Sequence, residues 1–504
     1  MEESDQSQNV FSWVKYLFKR KHDYSRMCEH EDDDNGAPSD TSFTPNNHNT
    51  LNTLHTPLHK SKVRRFLLKL WSFFSGFRTY RVKFAIKSML TAEIISILAF
   101  IPATRPYFTE FKLEWTLITV MAVMTPTVGG TNLGALLRVV ATILGCALAA
   151  IIYTIFQDNT IMLWLCTWLI SIPSFWLILH HKHGRFGLFT LLAYNLIVLY
   201  KFNHRLDDSV DVFELTWMRC LAVSVGVILG LFVTAYVWPY EARREVRKGL
   251  SDLLLTLSWL YKQLVSVYSE DDLPEASWTL SNQVASYHQS STLILARKNK
   301  ARAAELQKIE LSIQVSIFDL QGLLVHAPNE PRLKGPFPAK TYSAMLASCQ
   351  NILDKLLSLR IVILKDVWAV HVRRNFLMPA SNEFMEMAGN VFLYFYLLAS
   401  ALQLKTPLPP YLPPAEKTRQ LLMQKLQQLP LVMEVSMHEH ELAEEKKDEC
   451  YMVYYAYVVL MENIIRELEL LGNHMKDLFG SLVPEDQWMR CFGQHMDLEQ
   501  NRVA

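Results

Sequence analysis

Two arginines stand just inside apolar stretches, and the same small residues follow each. Arg138 opens "RVVATILGCALAA" and Arg219 opens "RCLAVSVGVILGLF". A glycine lies seven residues on, and a small residue four beyond it: Gly145 and Ala149 in one, Gly226 and Gly230 in the other. Small residues four apart let membrane helices approach closely. A guanidinium at the centre of a bilayer helix costs about 2.5–3.5 kcal/mol on insertion scales, and less near an end. Two readings follow. The side chains snorkel to the headgroups as anchors, or they face a central cavity, where a pair of cations favours an anionic solute. Recurrence of the arginine with the same downstream glycine argues for the second.

Upstream of Arg138, "MTPTVGG" interrupts the apolar run with Pro126, Gly129 and Gly130. A new helix is predicted from Thr131 or Asn132, both good N-cap residues. A helix N-terminus exposes free N–H groups and a partial positive charge, which suits a carboxylate or phosphate. Gly129, Gly130, Thr131 and Asn132 therefore join Arg138 and Arg219 as candidate substrate-binding or pore residues. A plain tight turn between two membrane helices is the alternative. Glu93 falls near the middle of the first apolar segment, where an uncompensated carboxylate is costly. It is expected to be protonated or paired with an arginine across the bundle, and its functional form would be proton coupling. Elsewhere the polar residues do not form a nucleophile or acid–base set, so no catalytic residue is assigned and no enzyme is expected. "HHKH" (His180–His183) reads as a basic loop, and "HEHE" (His438–Glu441) is not HExxH. No metal and no cofactor are expected.

These residues need a scaffold, and the chain offers six apolar segments: 84–102, 115–128, 133–156, 161–179, 186–202 and 216–238. A crossing takes roughly 20 residues, so the second and fifth are short. They occupy corresponding places if the block is a 3+3 inverted repeat. The third segment then runs outward and the sixth inward, so the two arginines enter from opposite faces. Short or Gly/Pro-interrupted segments in matching positions point to a transporter's binding site. Lys and Arg cluster before the first segment, between the fourth and fifth, and after the sixth. Six crossings with both termini cytosolic fit that pattern.

Around the block, residues 1–60 are polar and read as a disordered cytosolic N-terminus. Residues 61–82 mix basic and aromatic residues, as an interfacial helix does. Residues 83–238 form the transmembrane transporter domain. Residues 239–504 carry heptad-like apolar spacing without a clean 20-residue apolar run, and read as a helical cytosolic domain whose Leu, Tyr and Met stripes are core and dimer contacts. The fold class expected is thus an all-α integral membrane protein, six transmembrane helices followed by a helical cytosolic domain. The net charge of +1 gives no basic surplus for nucleic acid, and the seven cysteines contain no CxxC pair.

The run "WTLITVMAVMTPTVGGTNLGALLRVVATILGCALAA" resembles the fusaric acid resistance and aromatic acid exporter superfamily. The resemblance rests on Trp115, Thr119, Pro126, Gly129, Arg138, Thr142 and Gly145. The plant aluminium-activated malate transporters are distant relatives, with six crossings, a helical cytosolic domain and dimeric assembly. "WPYEARREVRKGLS", "NEPRLKGPFP" and "LPPYLPPAEKTR" look like landmarks of the C-terminal domain in the fungal branch, that of the brefeldin A sensitivity proteins. The resemblance covers residues 80–470. Fungal members commonly carry two six-segment blocks, whereas this chain has one. It either pairs as a homodimer or is a half-length product. The resemblance implies export of an organic or aromatic carboxylate, with the lipid bilayer and a small organic anion as partners. A passive anion channel and a non-transporting scaffold acting through the cytosolic domain are the alternatives. The sequence leaves endoplasmic reticulum and plasma membrane equally open.

Overall fold

The computed structural model describes residues 62–156, 159–181, 183–203, 211–269, 306–332, 335–363, 380–428, 442–484, 487 and 490. The polar N-terminus, most of the acidic connection after the fifth apolar segment and the "HEHE" run lie outside the described residues. Among the described residues the chain is helical, with one isolated β-bridge between Leu408 and Ser481. It divides into two units. One comprises Met1–Pro126 and Gly134–Pro239, the other Thr127–Leu133 and Tyr240–Ala504.

The first unit opens with α1 (Lys62–Phe77), which leaves Phe66, Leu67, Leu70, Trp71, Phe73, Phe74 and Phe77 exposed. Next come α2 (Tyr80–Phe100), a short α3 (Arg105–Glu110) and α4 (Leu113–Val123). Then follow α5 (Val128–Ile155), α6 (Thr160–His180), α7 (Arg185–Asn203) and α8 (Val212–Tyr236). Helices α5 to α8 are long and apolar enough to cross a bilayer. Helix α2 has 21 residues but carries Arg81, Lys83, Lys87 and Glu93. Helix α4 has 11 residues, about 16 Å of rise, short of a hydrocarbon core of about 30 Å. The outward faces are apolar: Leu136, Val140, Ile143 and Ile151 on α5, and Leu221, Val225, Ile228 and Phe232 on α8 are all exposed. On α6, Trp164, Trp168 and Trp176 are exposed too. Surface of this kind suits lipid rather than water.

The second unit is built from α9 (Ala242–Ser269), a helix over 306–326 (α10), α11 (Ala339–Ile363), α12 (Ser381–Leu404), α13 (Ala415–Gln428) and α14 (Leu442–Phe479). Leu250, Leu254, Leu257 and Tyr261 of α9 meet Ile313 and Ile317 of α10, Cys349 and Ile352 of α11, Phe395 and Leu398 of α12, and Met461 and Ile464 of α14 in one buried core. Helix α12 is also long and apolar enough to cross a membrane, against the expectation that no such run exists beyond residue 238. Its position explains the composition. Phe384, Met387, Val391, Phe395, Leu398 and Leu402 are core residues, and a helix surrounded by neighbours is apolar on most sides.

Candidate functional site

Burial along α5 recurs at helical spacing: Ala135, Arg138, Ala141, Thr142, Cys146, Ala149 and Tyr153. Along α8 it runs Leu215, Arg219, Ala222, Val223, Gly226, Val227, Gly230 and Thr234. Both arginines therefore lie on the inward stripes of their helices. Arg138 is 3% exposed and Arg219 2%. The guanidinium carbon of Arg138 stands 4.5 Å from the centre of the Phe189 ring on α7. That of Arg219 stands 4.7 Å from the Trp115 ring on α4. Among the described residues neither side chain makes a hydrogen bond or an ion pair, and Arg138 Nε, Arg219 Nε and Arg219 Nη1 are fully buried. Cys146 and Cys220, on the same two helices, are free cysteines.

The glycines set how close these helices come. A Cβ on Gly145 would lie 2.5 Å from the Thr190 carbonyl oxygen and 2.8 Å from Ala193 Cβ on α7. One on Gly226 would lie 2.8 Å from the Thr116 carbonyl oxygen and 3.0 Å from Thr119 Cβ on α4. Thr116 Oγ1 also donates to the Ala222 carbonyl at 2.9 Å, which ties α4 to α8.

The break before α5 differs from the expectation. The helix begins at Val128, not at Thr131 or Asn132. Thr127 is its cap, because Thr127 Oγ1 accepts from Gly130 N at 3.1 Å. Thr131 and Asn132 lie inside the first turns, and Thr131 Oγ1 donates back to the Thr127 carbonyl. These residues group with the second unit. Val128 N donates to the Tyr240 carbonyl, and Asn132 Nδ2 donates to the Asn329 carbonyl at 3.1 Å. A Cβ on Gly129 would run into the His326 carbonyl oxygen and Glu330. Of the N–H groups expected to hold an anion, those of Gly130 and Thr131 are already bonded, to Thr127 Oγ1 and the Thr127 carbonyl, and Gly129 serves close packing against His326 and Glu330. Glu330 continues the junction: its carboxylate accepts from Ala242 N and Arg243 N at the start of α9 and pairs with Arg243 Nε at 3.3 Å. Burial holds that carboxyl above the ordinary carboxylate range, against the pull of those donors.

Glu93 also departs from the expectation. It is exposed, on the side of α2 that carries Met89, Leu90, Ile94 and Ile97. It has no partner among the described residues, so the cross-bundle pair with an arginine does not form. Depth was legible from its mid-segment position, but direction was not. Lys87, Thr91 and Ile95 mark the inward side, and Glu93 lies about 200° round the helix from Thr91. The inward cation of α2 is instead Lys87, 3% exposed, which sequence reasoning passed over. Its signal was phase: residues 84, 87, 91 and 95 share one helical stripe. Among the described residues no group of three or more potential metal ligands occurs.

Residues 94–233 match the family described as Fusaric acid resistance protein-like. Residues 241–482 match the Brefeldin A-sensitivity protein 4-like domain. The chain joins these two domains in tandem. Both arginines, their ring partners and the paired glycines fall within the fusaric acid resistance-like part, and the Glu330–Arg243 junction falls within the brefeldin-type part. Protein BRE4 of Eremothecium gossypii is 19% identical over 352 residues, which are 68% of this chain and 31% of that relative. The chain therefore spans less than a third of that relative's length over the matched region. The apolar helices and the fusaric acid resistance-like domain together mark an integral membrane protein.

Proposed function

We propose that this protein carries organic carboxylate anions across a membrane, and that Arg138 and Arg219 hold the anion. One observation carries the reading: both arginines are buried, each guanidinium rests on an aromatic ring, and neither has an acceptor among the described residues. A buried cation without a counter-charge costs several kcal/mol, and headgroup anchors would point outward. An arriving carboxylate supplies the acceptor and takes charge-assisted hydrogen bonds from the guanidinium forks. Fusaric acid, which names the matching family, is itself a pyridine carboxylate.

The pairing of contacts supports a 3+3 inverted repeat. Arg138 and Gly145, in the first half, lie against Phe189 and Thr190 of the second. Arg219 and Gly226, in the second half, lie against Trp115 and Thr116 of the first. In this reading the block makes six crossings with both termini cytosolic, and two chains pair as a homodimer. Gradient-driven export is the mode we favour, with passive conduction the rival form of the same site.

The test is uptake of benzoate and succinate by liposomes carrying the purified protein, with and without a proton gradient. Arg138→Gln and Arg219→Gln, once shown to fold like wild type, should each lower flux by at least tenfold. Flux that survives both changes would reduce the arginines to packing elements. Wild-type protein that moves neither acid would favour the scaffold reading.

A further inference from the structure

We infer that Lys87 is a third cationic station of the anion path, nearer the cytosolic face than Arg138 and Arg219. The inference rests on the carboxylate-transport reading and extends it to a residue outside the arginine pair. Lys87 is 3% exposed, and among the described residues its ammonium has neither an acidic partner nor a hydrogen bond. Beside it stands an aromatic ring, Phe84, 6.0 Å away. Like Arg138 and Arg219 it is a buried residue whose cation lies beside a ring with no counter-charge among the described residues, but its ammonium nitrogen keeps a little accessible surface where the arginine Nε atoms do not.

Its place in the bundle matches theirs. Phe84 and Ile95, on the same stripe of α2, pack with Val120 and Met124 of α4 and with Leu229 and Val233 of α8. Lys87 thus lies on the face of α2 turned toward the two helices that carry Trp115 and Arg219. Among the described residues of this unit, the buried side-chain atoms without a partner are, besides those of the two arginines, the hydroxyls of Ser88, Thr119 and Thr234, again on α2, α4 and α8. All can donate to an anion, and no unpartnered buried carboxylate stands among them.

The three cations also fall at different depths. With alternating crossings, the start of α2, the start of α5 and the end of α8 share one side. Lys87 is seven residues into α2, Arg138 ten into α5, and Arg219 seventeen from the end of α8. At 1.5 Å per residue these are about 10, 15 and 25 Å from that side. A cation near the entrance of a low-dielectric path raises the local concentration of anions and their entry rate, by roughly tenfold or more. It does little to the step that follows capture. A lysine that merely snorkels to headgroups would do neither.

Two measurements separate these roles. In the liposome assay, Lys87→Met should lower benzoate flux roughly tenfold at concentrations well below KM and leave saturating flux within about twofold. Lys87→Arg should restore the low-concentration flux. Equal flux in wild type and Lys87→Met at every concentration would overturn the inference and leave the arginine site standing. The second measurement needs no flux. A cysteine introduced as Lys87→Cys is exposed to membrane-impermeant methanethiosulfonates, one anionic and one cationic, and labelling at position 87 is read by mass spectrometry. Faster labelling by the anionic reagent, slowed by benzoate, is expected. No labelling, or equal labelling by the two charges, would overturn the station even if transport itself were absent.

Discussion

Gly145 and Thr190 touch so closely that no side chain fits between them: a Cβ at 145 would sit 2.5 Å from the Thr190 carbonyl oxygen. The obstacle is backbone, which cannot rotate aside, and Gly226 meets the Thr116 carbonyl in the same way. Gly145→Ala and Gly226→Ala are therefore expected to push α5 from α7 and α8 from α4, at about 1–3 kcal/mol each. Gly134 is the control, because a Cβ there meets the Val123 carbonyl oxygen at 3.6 Å, an ordinary contact. Gly134→Ala should be neutral or stabilising by up to about 1 kcal/mol, from helix propensity. Thermal unfolding in detergent distinguishes them; equal melting of all three variants would show that these approaches do not limit packing.

Trp115 faces Arg219 across 4.7 Å. Such a stack contributes about 0.5–2 kcal/mol, more when desolvated. Trp115→Phe keeps a ring under the guanidinium and should keep most of the flux and stability. Trp115→Ala should lose both, and Phe189→Ala should do the same for Arg138. If Trp115→Ala lowers stability but leaves the benzoate KM unchanged, the ring packs the bundle without orienting the guanidinium.

Cys349 is wholly buried in the second unit's core, and burial pushes its thiol up to about 12. The thiolate is the nucleophile, so alkylation of Cys349 by iodoacetamide at pH 8 should be negligible in folded protein and rapid once denaturant opens the core. Mass spectrometry of the peptide that holds Cys349 reads the result directly. Modification at the rate of a free thiol under native conditions would mean the core opens locally.

The arginine pair was legible because a residue rare in bilayers recurred with the same downstream glycine. The rings beneath the arginines were not. Trp115 stands 104 residues before Arg219, and Phe189 stands 51 after Arg138, so no local periodicity joins them. The start of α5 was ambiguous for another reason. Thr127 and Thr131 are both acceptable caps, and the choice between them accompanies contacts with Tyr240, Asn329 and Glu330 far along the chain. Glu93 and Lys87 show the limit of reading depth alone. Both lie in one segment, yet their sides of α2 differ, and only the buried stripe tells which charged residue faces inward.

Two carboxylates of the second unit should titrate with opposite effects on stability. The Arg419 guanidinium hydrogen-bonds Glu416 at 2.6 and 2.8 Å and holds its carboxyl below the ordinary range. The folded state then binds that proton less tightly than the unfolded chain. The stabilisation is present above the unfolded value near 4.5 and is lost as pH falls through the lower folded value. Glu330 is the reverse, since burial raises its carboxyl. Its ionisation favours the unfolded chain, so its contribution falls as pH rises from about 4.5 through the higher folded value. Denaturant midpoints between pH 3 and 8 should therefore change slope in opposite senses in Glu416→Gln and Glu330→Gln relative to wild type. The Glu416 effect should be about 1 kcal/mol or less, because the pair is partly solvent-exposed. Glu330→Gln should also destabilise at neutral pH by about 1–3 kcal/mol, since an amide cannot balance Arg243 or accept from both N–H groups at the start of α9. Parallel pH profiles in the two variants would show that burial does not govern Glu330, and that its bonds to Ala242 and Arg243 outweigh it.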